Sequence, residues 1–326
     1  MNTLAAIVQV TPRSYIPHSL HAVARNFRET NCYVDLWIEI LHACGLQPLA
    51  CLGCTLASDF EGDHWTFFKP SHGDLDRLYG IRVEEMTLWQ PLVQHCMTQV
   101  QRGRMPLVEV DAVFLPDTEG INYRVSHAKT TIGIVHMDAD AKRMIYFHNA
   151  GLFSLSDGDF DGVFGLTREA RDGWLPPFAE IVKFDGVRAR DATTLRALSL
   201  ELARQHLSRR PSSNPMLAYG HAFASHVELL MCQGAAYDGY TFAVVRQLGA
   251  SAEITADYLR WLSDSNDSIS MAAHCFQSIS DSAKALVLKL ARVVNSRRAP
   301  DLRATFDDMA TRWDEGMARV EQAFAG

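Results

Sequence analysis

The chain has 326 residues, of which 48% are hydrophobic and 21% charged, and its formal net charge is −7. This composition is that of a globular protein with a sizeable core, and it gives no basic excess that would indicate nucleic acid as the main partner. No basic stretch precedes the first apolar residues, and no apolar run approaches the roughly 20 residues of a membrane helix. We therefore expect a cytoplasmic protein that does not bind membranes. Seven irregularly spaced cysteines fit a reducing compartment rather than a disulfide framework.

The first predicted element is a helix over residues 32–44, which follows an irregular lead-in over residues 1–30. Asn31 is a good N-cap, and Gly45 is a typical helix terminator. Apolar residues cover most of the circumference between them, as is typical of a buried helix. The sequence therefore predicts a buried helix that begins at Cys32.

Residues 46–100 are predicted to be mixed and mainly helical, and strand-like alternation begins after residue 106. The predicted strands cover residues 107–115, 130–137, 142–148 and 179–184. A turn at 138–141 joins the second and third strands, so these two are predicted to form a hairpin. After about residue 188 every segment has helical spacing. We therefore expect an α+β domain over residues 1–188 and an all-α helical domain, a bundle, over residues 189–326.

Cys32 is the best candidate nucleophile among the seven cysteines. A cysteine reacts as its thiolate, and the unpaired NH groups and dipole at a helix N-terminus favour that negative charge. From its position alone, a buried structural cysteine is an equally good interpretation.

A papain-type cysteine requires a histidine base and an Asn or Asp that orients the imidazole. His127 precedes the first strand of the hairpin and Asn149 follows the second, so the hairpin brings both to the same end. His148 would point to the opposite face from Asn149, and His136 lies at the far end of the hairpin. We therefore predict a Cys32–His127–Asn149 site, with a turn-capping role as the alternative for His127.

Acyl transfer through a thiolate also requires donors for the oxyanion that forms on the substrate. The backbone NH of Cys32 is the natural first donor. The side-chain amide of Asn26 or Asn31 is the candidate second donor, with Asn26 preferred because Asn31 already serves as the cap.

Carboxylates and aromatic residues are concentrated between residues 58 and 70. Asp59, Glu61 and Trp65 are candidates for lining a substrate pocket and holding an amine, and the alternative is a solvated loop. Asp111 and Asp117, around the end of the 107–115 strand, leave the same two interpretations open.

A Cys-x-x-Cys pair occurs at Cys51 and Cys54. No second pair of ligands with zinc spacing follows it, and a βαβ context for a redox motif is absent. The sequence therefore predicts two packed cysteines and no metal site.

Five segments resemble a bacterial family, domain of unknown function 1839: NCYVDLWIEILHACGL, DFEGDHWTFFKP, LVEVDAVFLPDT, HAKTTIGI and YFHNAG. The resemblance runs from about residue 15 to the C-terminus. The layout of the family is similar to the double-glycine leader peptidases, which are papain-like. It is also similar to the butirosin-type aminoacyltransferases, which have a papain-like domain followed by a helical domain and move an acyl group from a carrier-protein thioester to an amine.

The resemblance implies a papain-like fold in which Cys32 is the nucleophile, His127 the base and Asn149 the orienting residue. Asn149 departs from the Asp of the leader peptidases and agrees with papain. The cysteine-proximal glutamine of papain has no match, since Asn26 stands at that position.

The resemblance further implies an acyl or aminoacyl transferase without a cofactor of its own. The acyl group would arrive on the 4′-phosphopantetheine arm of an acyl or peptidyl carrier protein and leave on a small-molecule amine. Basic stretches at 204–211 and 295–300 are candidate docking sites for an acidic carrier, and a solvated face is an equally good interpretation of each. A cysteine peptidase or amidase and a non-catalytic papain-like binding module are the alternatives, and a homodimer through the helical domain stays open.

Overall fold

A computed structural model describes residues 10–29, 31–166, 176–263, 266–298 and 301–325. The chain divides into two compact units. The sheet unit contains the described residues up to Ala22 and those within Asn31–Pro48 and His72–Arg190. The helical unit contains the described residues within Val23–Thr30, Leu49–Ser71 and Asp191–Gly326. The helical unit thus includes two segments that precede the domain boundary predicted at residue 188.

The sheet unit is built on six strands in the order β1-β6-β2-β3-β4-β5, and every neighbouring pair is antiparallel. Its strands are β1 Arg82–Glu85, β2 Met105–Asp111, β3 Lys129–Asp138, β4 Arg143–His148, β5 Gly151–Ser156 and β6 Ala179–Lys183. Its α-helices are α1 Cys32–Ala43, α2 His72–Tyr79, α3 Leu92–Gln101 and α4 Asp157–Val163.

Helix α1 begins and ends as its flanking residues dictate. Asn31 has extended backbone geometry, and its side-chain oxygen accepts a hydrogen bond from the Val34 NH at 2.9 Å. Gly45, beyond the helix, takes a φ of +68°, which a residue with a side chain rarely adopts. Nearly all of α1 is buried. The prediction of a buried helix that begins at Cys32 is confirmed.

Helix α1 packs on strands β3 and β4, and a glycine permits its close approach. A Cβ atom on Gly133 of β3 would lie 3.3 Å from Leu36 Cδ1 and 3.0 Å from Met105 Sδ. These distances are shorter than most real carbon contacts, so any larger residue would displace the helix or its neighbours.

The other side of the sheet is covered by a hydrophobic core to which α3 and α4 contribute. Side chains alternate between the two faces of a strand, so consecutive residues of β3 point to opposite sides of the sheet. The core cluster consists of Leu92, Cys96, Val108, Val110, Leu115, Ile132, Ile134, Met144, Tyr146, Leu155, Phe160, Val163, Phe164 and Ala179.

The structure confirms the predicted hairpin and the strand near residues 179–184. The predicted strand over 107–115 was wrong beyond Asp111, because the Asp111 carboxylate accepts from the Val113 NH at 3.1 Å and caps a 3₁₀ turn. The prediction did not include β1 and β5. The first is short and largely exposed, and the second follows β4 after only two residues.

The helical unit confirms the prediction that strands stop after about residue 188. A π-helical turn at Thr241–Arg246 joins α7 to α8 in one continuous helix. The α-helices of this unit are α5 Ala192–Leu207, α6 Pro215–Cys232, α7 Tyr237–Tyr240, α8 Gln247–Ser263, α9 Asp267–Ser296 and α10 Arg303–Phe324. Among the described residues, none of the helices has the length and apolar character that crossing a membrane requires.

Candidate functional site

Cys32 is the first residue of α1, and the residue is only partly buried. The NH groups of a first helical turn have no acceptor within the helix, so the Cys32 NH points out of the helix end. The thiol donates to Thr131 Oγ1 on β3 at 3.9 Å. By contrast, Cys96 is fully buried, and burial raises its pKa to about 12. Cys32 therefore combines access with a position at a helix N-terminus.

His127 is held by an aspartate just before β3 begins. Its Nδ1 lies 2.5 Å from Asp111 Oδ2, and the other oxygen of Asp111 accepts from the Ala128 NH at 3.2 Å. The His127 side chain is 82% exposed. Nε2 has no hydrogen-bond partner among the described residues. Asp111, which was predicted to contact substrate, thus binds one ring nitrogen of His127, the predicted base. The other ring nitrogen is left to bind a reacting group.

The packing of α1 relates Cys32 to His127. Leu36, one turn after Cys32, packs beside Gly133, and Thr131 lies two residues before that glycine on the same face of β3. Helix and strand therefore run side by side in the same direction, and His127 precedes the strand at the end where α1 begins. The hydrogen bonds of the described residues do not join Cys32 to His127 or to Asn149.

Asn149 occupies the two-residue turn between β4 and β5, where His148 pairs with Gly151. Its φ is +42°, a left-handed conformation that Asn tolerates better than most residues. Asn149 thus supplies the left-handed backbone conformation of this turn. Its predicted role as the residue that orients the base stays a prediction.

His148 belongs to a buried chain of hydrogen bonds that the sequence did not reveal. Its Nδ1 lies 2.5 Å from Asp117 Oδ2, and its Nε2 lies 2.7 Å from Thr130 Oγ1. Tyr146 donates to the other oxygen of Asp117. Burial and the Asp117 charge raise the pKa of Tyr146. Both ring nitrogens of His148 are engaged, and its side chain is 2% exposed.

One signal in the sequence could have revealed these hydrogen bonds around His148. Tyr146 and His148 are two residues apart and therefore lie on the same face of β4. The hairpin register places Thr130 close to them. The sequence left Asp117 as either a pocket-lining or a solvated-loop carboxylate, because its contact with His148 depends on the course of residues 112–128.

The two candidate oxyanion donors have other partners. Asn26 belongs to the helical unit, where its amide nitrogen donates to Asp281 Oδ1 at 2.6 Å and to Ser280 Oγ at 3.3 Å. The side-chain oxygen of Asn31 caps α1. Their predicted role at the oxyanion stays a prediction.

Asp59, Glu61 and Trp65 lie on one small loop of the helical unit. A β-bridge between Phe60 and Trp65 closes the loop, and the Glu61 NH donates to the His64 carbonyl at 2.8 Å. Glu61 is exposed, whereas Asp59 is half-buried, and burial raises the pKa of its carboxyl. These three residues therefore share a loop, as their sequence spacing implies.

Trp65 is 4% exposed and forms one wall of a cleft within the helical unit. Its indole Nε1 is buried and has no hydrogen-bond partner among the described residues. Most of the other walls are apolar, and Ser58 Oγ lies 2.7 Å from Ser251 Oγ on the polar side. The cleft is lined by Thr55, Leu56, Ser58, Trp65, Met216, Leu248, Ser251, Ala252, Thr255, Phe276, Trp313 and Met317.

A third histidine anchors the lead-in segment to α1. His21 Nδ1 bonds to Glu39, its Nε2 lies 3.2 Å from Asp35, and Tyr15 donates to Glu39. Burial alone would lower the pKa of His21, but the hydrogen bonds to Asp35 and Glu39 raise it to about 9. Cys32 therefore stands on a helix that a buried ionic cluster holds in place.

Family models cover most of the chain. The model described as DUF1839 N-terminal domain matches residues 16–184, and the model described as DUF1839 C-terminal domain matches residues 192–322. The chain therefore belongs to the DUF1839 family. A search of curated proteins gave no significant match.

Proposed function

We propose that this DUF1839 protein is a thiol-dependent acyltransferase in which Cys32 accepts an acyl group from a carrier-protein thioester and passes it to an amine. The observation that carries the proposal is the position of the thiol. Cys32 begins a capped, buried helix, remains partly exposed, and lies against the strand that His127 precedes. A helix N-terminus favours both the thiolate and the anion that forms when it attacks.

In the first half of the reaction, the Cys32 thiolate attacks the carbonyl carbon of the pantetheine thioester, and the carbonyl electron pair moves to oxygen. His127 Nε2 holds the proton that Cys32 has lost, while Asp111 stabilises the imidazolium through Nδ1. The carbonyl then re-forms, the bond between carbon and the pantetheine sulfur breaks, and the departing sulfur takes the proton from His127.

In the second half, a neutral amine attacks the carbonyl carbon of acyl-Cys32, and His127 accepts a proton from its nitrogen. The bond to the Cys32 sulfur breaks and that sulfur receives the proton. The products are an amide and a free pantetheine thiol. Both halves require Nε2 to come within hydrogen-bond reach of the reacting atoms, and such bonds are often long before substrate is bound.

We also propose that the sheet unit has a papain-like fold. The support is the packing of a cysteine-bearing helix on an antiparallel sheet, with a histidine before one strand and an asparagine after the next. Asp111 then takes the orienting role beside His127, with Asn149 as the alternative.

A non-catalytic binding module is the second candidate, and one observation favours it. The thiol makes its hydrogen bond to the hydroxyl of Thr131 and not to an imidazole. A peptidase or amidase would use the same residues with water in place of the amine.

The proposal includes docking of the carrier protein on a basic surface. Two arginines of the candidate surface bind groups of this protein itself, so fewer positive charges are available to a carrier. In the 204–211 stretch, Arg204 donates to the Phe324 carbonyl and Arg210 pairs with Glu321 of α10. Arg209 is exposed beside them. Part of the 295–300 stretch, residues 299–300, lies outside the described residues.

The test is to incubate the protein with an aminoacyl-loaded carrier protein and with a small aminoacyl thioester of N-acetylcysteamine, and to measure intact mass. We expect one acyl adduct per chain that Cys32→Ala loses and that neutral hydroxylamine removes. Cys232→Ser is the matched control, because Cys232 is an exposed cysteine at the C-terminal end of its helix.

Transfer to an added amine would support the acyltransferase, and release of the free acid would support a hydrolase. Absence of any adduct from both donors, while iodoacetamide still alkylates Cys32, would leave the binding module as the remaining candidate.

A further inference from the structure

We infer that Thr131 supplies the side-chain hydrogen bond to the oxyanion, a role that rests on the proposed acyl transfer through Cys32. The backbone NH of Cys32 provides one donor at the helix end. Thr131 Oγ1 is the side-chain oxygen that the thiol contacts, at 3.9 Å.

The distance fits an oxyanion donor. The oxyanion is two covalent bonds from the attacking sulfur, and effective donors lie about 2.7–3.1 Å from the oxygen itself. A hydroxyl 3.9 Å from Sγ is therefore within reach of an oxygen bound to the carbon that Sγ attacks.

The direction of the hydrogen bond also fits. In the resting protein the thiol donates to Thr131 Oγ1, and the hydroxyl hydrogen of Thr131 has no acceptor among the described residues. Once Cys32 has lost its proton, the hydroxyl can turn and donate to the negative sulfur. As the carbonyl carbon bonds to that sulfur, the negative charge moves to oxygen, and the same hydrogen can follow it.

The strand holds Thr131 in place before the reaction begins. Thr131 is 8% exposed and pairs with Glu109 of β2, so its backbone position is fixed by the sheet. Its neighbour Thr130 is tied to His148 on the opposite face. A β-branched side chain has few χ1 choices. A donor fixed in this way costs little reorganisation during the reaction.

The experiment compares two reactions of the same thiol, one that forms an oxyanion and one that does not. Acylation by an aminoacyl N-acetylcysteamine thioester passes through a tetrahedral oxyanion, whereas alkylation by iodoacetamide displaces iodide directly. Both rate constants are measured for the wild type, Thr131→Val and Thr131→Ser, at the pH plateau of each reaction. Valine keeps the shape of threonine and removes the hydroxyl, and serine keeps the hydroxyl.

We expect Thr131→Val to lower the acylation rate constant by about 10²-fold, the usual loss when one oxyanion donor is removed. Alkylation should change by less than about threefold, and Thr131→Ser should recover most of the acylation rate. A parallel fall in both reactions would mean that Thr131 only positions the thiol or alters its nucleophilicity, and would overturn the inference.

Failure of the proposed function gives a different pattern. Unchanged acylation in Thr131→Val, beside active wild type, would overturn the role of Thr131 alone. A wild-type protein that is alkylated at Cys32 but never acylated would overturn the acyltransferase and the oxyanion donor together.

Discussion

Two histidines at the same end of one hairpin make the same bond and have opposite surroundings. His127, before β3, and His148, at the end of β4, each lie 2.5 Å from an aspartate oxygen through Nδ1. The second ring nitrogen of His148 is taken by Thr130, and the side chain is 2% exposed. His127 is 82% exposed, and its Nε2 has no partner among the described residues.

The difference separates structural from chemical use of the same residue pair. His148 links Thr130 to Asp117, and at 2% exposure its side chain is shielded from any substrate. An exposed histidine with one nitrogen fixed is oriented and still able to exchange a proton. We therefore expect substitution of His127 to lower activity and substitution of His148 to lower stability.

The largest expected effect is on activity at His127. His127→Gln should lower the rate of acyl transfer by about 10²–10⁴-fold, the usual contribution of a general base, and should change the free energy of unfolding by less than about 0.5 kcal/mol. Steady-state rates and urea unfolding measure the two quantities. The matched control is His64→Gln, since His64 is also exposed and bonded to an aspartate through Nδ1 at 2.5 Å. Equal activity of both variants would refute the assignment of the base.

The next effect is on stability at His148. His148→Leu leaves the Asp117 carboxylate buried without its imidazole and should lower the free energy of unfolding by about 3–5 kcal/mol. Urea unfolding measures this loss, with His136→Leu as an exposed control on β3. The double variant with Asp117→Leu should lose less than the sum of the two single variants, because the charge is removed with its partner. Additive losses would show that the two residues do not act as a pair.

The buried cluster on α1 gives stability a dependence on pH. The pKa of His21 is about 9 in the folded protein and near 6.5 without its partners, so its stabilisation is complete below pH 6.5 and is lost as pH rises through about 9. The loss is on the order of 3 kcal/mol. The free energy of unfolding of the wild type should therefore fall between about pH 6 and about pH 9.5 by more than that of His21→Gln. Equal falls would contradict the charged state of His21.

The smallest effect concerns the start of α1. Asn31→Ala removes the cap of the helix that carries Cys32 and should lower the free energy of unfolding by about 1 kcal/mol. Asn31→Asp should retain most of the stability, because aspartate caps equally well. If both variants lose the same amount in urea unfolding, the amide nitrogen of Asn31 matters more than the capping oxygen.

The sequence predicted those parts of the fold that depend on local signals. The cap at Asn31, the terminator at Gly45 and the alternation of the hairpin each act within a few residues, so α1, β3 and β4 could be located. The end of β2 was misplaced because the Asp111 side chain bonds to the backbone of the following turn. The composition of the segment does not reveal that a side chain competes with the neighbouring strand for a backbone NH.

The positions of Cys32, His127 and Asn149 in the fold could be predicted from the sequence, whereas their contacts could not. The hairpin rule brought His127 and Asn149 to one end, and the helix start selected Cys32. The bond between His127 and Asp111 depends on how β2 pairs with β3, and the contact of Cys32 with Thr131 depends on the close approach that Gly133 allows. Both depend on tertiary packing, which local periodicity does not specify.

The most direct test of the central claim is to locate the acyl group. After incubation with an aminoacyl-loaded carrier protein, proteolysis under acidic conditions and tandem mass spectrometry show which residue carries it. We predict a thioester on Cys32 that disappears when an acceptor amine is added, with no acyl group on exposed Cys232. An acyl group on another residue, or none on a Cys32 that remains open to alkylation, would contradict the account.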